Sequence, residues 1–134
     1  MPKSVAIVAG SYHKDKVKKM VEIVKSLSPD NNLLIEEVCW VPGSMEIPLQ
    51  IKRLLLRESI HGVIVLGIIE KGETDHGLVM GQAVTKSVID LQLLSMKPIG
   101  FGIIGPGAEE KQIDKRVEVH ARQAVLAVAE MLTN

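Results

Sequence analysis

The sequence contains a single cysteine, Cys39, which excludes an internal disulfide and any multi-cysteine metal site. Its expected role is that of a small buried hydrophobe in a strand. Charge of one sign is also missing. Sixteen basic residues balance sixteen acidic ones, so no long-range field is available to gather nucleic acid or an anionic membrane, and the expected ligand is small. No stretch approaches the roughly 20 apolar residues of a membrane span. The apolar run between Val5 and Ala9 is too short for a signal peptide, so a cytoplasmic location is expected. Repeats and low-complexity linkers are absent. What remains is a chain of 134 residues, 46% hydrophobic and 24% charged, which fits one globular domain over residues 1–134.

Short β-branched runs alternate with stretches of helical period, the pattern of successive βαβ units. Strands are expected at Val5 to Ala9, Leu33 to Val41, Gly62 to Ile69 and Pro98 to Ile104. The third is nearly continuous in apolar residues, as a central parallel strand covered on both faces requires. The first helix carries Val17, Met20, Val21, Val24 and Leu27 on one stripe. The second is expected from about Met45 to Arg57, with Ser44 as N-cap and Pro48 harmless in the first turn. The third covers about Gly77 to Leu94. Gly105-Pro106-Gly107 reads as a turn into a last helix from about Glu109 to Leu132. The fold class is therefore α/β, a three-layer α/β/α arrangement of flavodoxin-like type around a four-stranded parallel sheet.

In such sheets ligands bind beyond the carboxyl ends of the strands. The unusual residues gather in the four loops at that edge: Ser11-Tyr12-His13, Pro42 to Glu46, Glu70 to His76, and Gly105 to Glu109. Loops at the opposite edge, such as Ser28 to Asn32, read as ordinary turns, and His61 there reads as structural. The only Trp, Tyr and Phe of the chain, Trp40, Tyr12 and Phe101, lie on or just beyond strands that feed the active edge, where a planar ligand would find stacking partners. Core filling competes with that role for Trp40 and Phe101. His76, after the most apolar strand, is a candidate for proton transfer.

Three segments together carry a more specific message: Val41-Pro42-Gly43-Ser44-Met45-Glu46-Ile47-Pro48-Leu49, Gly72-Glu73-Thr74-Asp75-His76, and Phe101-Gly102-Ile103-Ile104-Gly105-Pro106-Gly107 followed by Arg116. In order and spacing they resemble the three signatures of the lumazine synthase family, particularly its archaeal type. The resemblance covers nearly the whole chain. It implies an enzyme of riboflavin biosynthesis that condenses 5-amino-6-(D-ribitylamino)uracil with 3,4-dihydroxy-2-butanone 4-phosphate, releasing phosphate and water, without metal or other cofactor.

By the same resemblance His76 is the proton-transfer residue. Arg116 matches the phosphate-binding arginine, whose planar fork can hold two phosphate oxygens. Glu73, through its backbone, and Thr74 match positions that hold the same phosphate near a helix N-terminus. Tyr12 matches the aromatic on which the pyrimidine stacks, and Ser44, Met45 and Glu46 match the loop that meets the ring and the ribityl hydroxyls. Ile68, Ile69 and Glu70 match a backbone stretch that edges the pyrimidine, and Phe101 matches a residue on the neighbouring subunit's side of the site.

The chain departs from the family pattern at three positions. Glu70 replaces a residue that is usually apolar, His13 stands where asparagine is common, and His120 stands where bacterial members often carry lysine. Glu70 implies a more polar or reshaped pyrimidine pocket; His13 and His120 are added candidates for the pyrimidine and phosphate ends. The third helix is apolar over more than a single stripe, which suggests contact with another chain, with Gly77, Gly81 and Ala83 small enough for close approach. The resemblance implies a homopentamer with active sites between adjacent subunits, and leaves a decamer or an icosahedral 60-mer open. Archaeal-type riboflavin synthase is the nearest alternative; a non-catalytic flavin-binding or shell protein is another. A flavin carrier would want a Ser/Thr-rich loop after the first strand, and a receiver module an acidic pair there; the loop reads Gly10-Ser11-Tyr12-His13-Lys14.

Overall fold

The structure, a computed structural model, describes residues 1–133. Four parallel strands, β1 (Lys3–Gly10), β2 (Leu33–Val41), β3 (Gly62–Glu70) and β4 (Ile99–Ala108), form one sheet in the order β2-β1-β3-β4. They alternate with α1 (Lys14–Leu27), α2 (Ile47–Leu55), α3 (His76–Ser95) and α4 (Glu110–Thr133). Among the described residues no helix is long and apolar enough to cross a membrane.

The two-residue period of the strands sorts their side chains between two cores. Val5, Ile7 and Ala9 of β1 with Ile64, Leu66 and Ile68 of β3 pack under α1 and α4. Ala6 and Val8 with Val63, Val65 and Ile69 pack under α2 and α3. Every residue of β3 from Gly62 to Ile69 is buried, as its unbroken apolar run predicts. Each large aliphatic side chain so covered contributes about 1.5–3 kcal/mol.

At two β4 positions that face α4, 100 and 102, the chain has glycine. A Cβ at Gly100 would stand 2.9 Å from both the Ala124 carbonyl carbon and Val128 Cγ2, so α4 lies on the strand backbone itself. Trp40 and Phe101 both serve the cores, Trp40 on the α1/α4 side and Phe101 on the α2/α3 side. Lys14 Nζ additionally sits 5.0 Å from the Trp40 ring centroid, a cation–π distance. At the far end of α2, Lys97 Nζ donates to the Leu55 carbonyl at 2.9 Å, an acceptor that the helix leaves open, and to the Arg57 carbonyl just beyond it at 3.0 Å.

Four expectations are corrected. Gly105-Pro106-Gly107 is not a turn: β4 continues to Ala108, which pairs with Glu70, and Lys71 N–H donates to the Ala108 carbonyl at 3.0 Å. Between the pairs Ile68↔Ile104 and Glu70↔Ala108, β3 advances two residues and β4 four. The surplus bulges at Gly105 and Gly107, both at positive φ (102° and 86°), around a cis Gly105–Pro106 bond. Ser44 does not cap α2 either. Gly43, in extended conformation, precedes a 3₁₀ turn at Ser44–Glu46, and the α-helix begins only at Ile47. Gly81 is occupied within the chain, since a Cβ there would stand 2.7 Å from Pro106 Cγ. Cys39 is half-buried on the edge strand β2, and its thiol donates to Glu37 Oε2 at 3.4 Å.

Candidate active site

The carboxyl ends of β1, β2 and β3 open on a cavity of about 430 Å³. Its wall is built from three loops. Tyr12 comes from the β1–α1 loop, Pro42 to Glu46 from the β2–α2 connection, and Ile68 to Gly72 with Thr74, His76, Gly77 and Met80 from the end of β3 and the start of α3. The parallel order puts all three loops on one edge, because each connection must return to the opposite edge before the next strand begins.

His76 is the first residue of α3. Its backbone N–H donates to Thr74 Oγ1 at 3.3 Å, and Val79 N–H donates to the Asp75 carbonyl at 3.0 Å. The loop thus closes onto the helix N-terminus, where free N–H groups and the helix dipole favour an anion. Across the cavity, Met45 is 62% exposed and Tyr12 56% exposed, so both offer apolar surface to a ligand rather than to the core.

The resemblance puts Tyr12, His13 and Glu70 at the pyrimidine end, but the bonds that join them at the edge of the cavity are not legible in the sequence. Glu70, the last residue of β3, accepts at Oε2 from Tyr12 O–H at 3.3 Å and pairs through the same oxygen with His13 Nε2 at 2.8 Å. The His13 hydrogen bond holds the Glu70 carboxyl below its ordinary range. The Tyr12 and His13 rings meet edge to face at 4.6 Å. His13 itself sits at φ 54° and ψ 47°, a left-handed conformation that a non-glycine residue adopts at a cost.

Nine of the residues singled out in the sequence therefore line the cavity: Tyr12, Ser44, Met45, Glu46, Ile68, Ile69, Glu70, Thr74 and His76. Glu73 is exposed in the same loop without forming the wall. Phe101 does not reach it; the ring is in the middle of β4, opposite Val65. Arg116 is exposed on α4, in the layer across the sheet from α2 and α3. His120, one turn later, is half-buried, and burial lowers its pKa, with the nearby Ile103 carbonyl pulling the other way. Among the described residues no group of His, Cys, Asp and Glu is placed to hold a metal ion.

Lys71 and Met80 were not anticipated. Met80 stands four residues after His76 and shares its helix face, a spacing the sequence does show. Lys71 is the only cation among the described residues of the wall, against the carboxylates Glu46 and Glu70, so two negative groups and one positive leave a formal charge of −1.

The sequence model of 6,7-dimethyl-8-ribityllumazine synthase matches residues 2–134. The chain belongs to the lumazine synthase family. It is 38% identical over 128 residues to the 6,7-dimethyl-8-ribityllumazine synthase of Staphylothermus marinus, covering 96% of this chain and 85% of that one. To the enzyme of the same name from Metallosphaera sedula it is 38% identical over 125 residues, covering 93% and 83%. To that of Picrophilus torridus it is 33% identical over 128 residues, covering 96% and 93%. The four-stranded parallel sheet with helices on both faces agrees with membership of the lumazine synthase family. Two of the three lumazine synthase signatures, Val41 to Leu49 and Gly72 to His76, meet at the cavity, while the third runs along β4 to Arg116, on α4.

Proposed function

We propose that the protein condenses 5-amino-6-(D-ribitylamino)uracil with 3,4-dihydroxy-2-butanone 4-phosphate to 6,7-dimethyl-8-ribityllumazine, releasing phosphate and water, in the cavity beyond β1, β2 and β3. The observation that carries this reading is the convergence of Tyr12, Glu46 and His76, contributed by three different loops, on one cavity wall. Family membership supplies the reaction, and the cavity supplies a place for both substrates.

Each residue then has a task suited to its chemistry. The pyrimidine stacks on Tyr12 beside Met45, with the backbone of Ile68 and Ile69 along its edge. Ser44 and Glu46 take the ribityl hydroxyls, since a carboxylate accepts several hydrogen bonds at once. The amine adds to a carbonyl and water leaves to give an imine, phosphate is eliminated, and the ring closes with loss of a second water; His76 moves protons at these centres. The N-terminus of α3, the Glu73 backbone and the Thr74 hydroxyl hold the phosphate.

A wall with formal charge −1 is a poor host for a phosphate ester, and one added cation redresses it. We assign that cation to Arg116 of a neighbouring copy, with His120 one turn further along α4, and by the family resemblance assign Phe101 of that copy to its side of the site. Contact between copies has support in α3, where Leu78, Val79, Ile89, Leu93 and Leu94 are all at least 48% exposed, more apolar surface than a lone helix leaves to water. By the family resemblance we take the functional unit to be a homopentamer, free or closed into a larger shell, acting in the cytoplasm, with residues 1–134 as one domain and sites between adjacent subunits.

The test mixes purified protein with both substrates and follows the lumazine chromophore by absorbance and fluorescence, beside a protein-free control and a His76→Ala control. Formation well above both is expected, with His76→Ala slower by the roughly 10²–10⁴-fold typical of general acid–base catalysis. A correctly folded oligomer that does not exceed the protein-free rate would refute the assignment.

A further inference from the structure

The Tyr12–Glu70–His13 constellation holds a carboxylate in the cavity wall by two contacts at one oxygen. Glu70 extends from the last position of β3, and its side chain is 32% exposed. Even-numbered β3 residues before it, Ile64, Leu66 and Ile68, face the α1 side of the sheet. Glu70 keeps that direction, and this brings it to the β1–α1 loop, where His13 and Tyr12 wait. Both of these partners bond to Oε2, and among the described residues none is bonded to Oε1.

Holding the carboxylate in this way is costly for a decorative surface pair. It uses a histidine in the left-handed region and orders the tyrosine, which at 56% exposure has little packing to order it otherwise. A carboxylate so held accepts hydrogen bonds and donates none. It therefore suits a ligand edge that carries N–H groups and disfavours one that carries only acceptors, whose lone pairs would face the negative charge.

We propose that Glu70 is a specificity-determining residue of this pocket: its carboxylate, fixed at Oε2 by His13 and Tyr12, accepts at Oε1 from an N–H donor on the edge of the flat heterocycle. The proposal rests on the reading that the aminopyrimidine, whose ring and amino nitrogens carry several such donors, occupies the cavity. His13 is then a positioning residue that acts through Glu70, and Tyr12 serves both as stacking surface and as the second anchor of the carboxylate.

The experiment measures 5-amino-6-(D-ribitylamino)uracil binding by calorimetry, with inorganic phosphate binding measured in parallel, on the assembled protein and three variants. Glu70→Ile removes the carboxylate, Glu70→Gln keeps its shape without the charge, and Tyr12→Phe removes only the anchor hydroxyl. Native mass and thermal unfolding certify that each variant is folded and assembled. For Glu70→Ile, pyrimidine affinity is expected to fall about tenfold to a hundredfold, the range for a hydrogen bond to a charged group. Glu70→Gln should lose less, Tyr12→Phe less than Glu70→Ile, and phosphate affinity should stay within about twofold throughout. Unchanged pyrimidine affinity in Glu70→Ile overturns the proposal alone. So does an equal loss for Tyr12→Phe, which would reduce Glu70 to a prop for the ring, and so does a parallel loss of phosphate affinity, which would mark a general distortion. Absence of pyrimidine binding by the parent overturns the reading of the cavity and this proposal with it.

Discussion

Four glycines of the sheet edge and site loops separate two costs that usually come together, backbone conformation and steric contact. Gly72 has open space around its missing Cβ and no positive φ; Gly107 is equally open but at φ 86°. Gly100 has ordinary backbone, but its Cβ would meet the Ala124 carbonyl group of α4. Gly105 combines both, at φ 102° with a Cβ 3.0 Å from the Ile69 carbonyl carbon and closer still to its oxygen. Replacement by alanine should therefore give a graded series. Gly72→Ala is expected to be neutral or to stabilise by about 0.4–1 kcal/mol through the unfolded chain. Gly107→Ala should cost about 1–2 kcal/mol for the left-handed backbone, and Gly100→Ala about 1–3 kcal/mol for overpacking α4 against β4. Gly105→Ala should approach the sum of the last two, about 2–5 kcal/mol, because neither backbone can retreat. Urea unfolding at fixed protomer concentration, followed by the fluorescence of the single Trp40, is the assay. At about 2 kcal/mol per molar urea, a loss of 3 kcal/mol moves the midpoint by roughly 1.5 M. Since Ile69 lines the cavity, Gly105→Ala should also slow lumazine formation. If Gly105→Ala costs no more than Gly107→Ala, or if Gly100→Ala costs less than about 0.5 kcal/mol, the close approaches of β4 to Ile69 and to α4 are not as described.

Other predictions concern charge. Arg116→Ala should raise KM for the butanone phosphate while leaving KM for the pyrimidine nearly unchanged; loss of pyrimidine affinity with normal kinetics toward the phosphate substrate would contradict the assignment. Acidification should destabilise the fold in two steps. His120 has its pKa lowered from 6.5 by burial, so folding disfavours its protonated form and stability declines as pH falls below about 6.5 toward the lower folded value. Glu37, lowered from 4.5 chiefly by its hydrogen bond from Arg57, and Glu70, lowered chiefly by His13, contribute stability that is present above 4.5 and lost as pH falls through their folded values. Melting temperatures at pH 7.5, 5.5 and 4 check this, with His120→Gln expected to flatten the first interval and Glu37→Gln the second.

Much of the molecule was legible in the chain because its signals are local. Gly62 to Ile69 could only be a doubly covered strand, and Val17, Met20, Val21 and Val24 could only be one face of a helix, since period and burial are set by neighbours in sequence. All four strands and helices were placed in order, and nine of the expected site residues share one wall. Family membership was legible for a related reason: the three signatures are short segments read without knowing how they meet.

Tertiary structure decided whatever depends on a partner remote in sequence. Gly105-Pro106-Gly107 has the composition of a turn, yet Glu70 and Lys71 supply it with a strand to pair with, and the segment stays in the sheet. Ser44 has the chemistry of an N-cap, but the chain enters α2 through a 3₁₀ turn. Glu70 and His13 are 57 residues apart, and nothing in either neighbourhood announces the other. Their meeting follows from β1 and β3 being adjacent and parallel, which brings the ends of both strands to the same edge. Side-chain periodicity is a property of the chain, but hydrogen bonds between loops are a property of the sheet that gathers them.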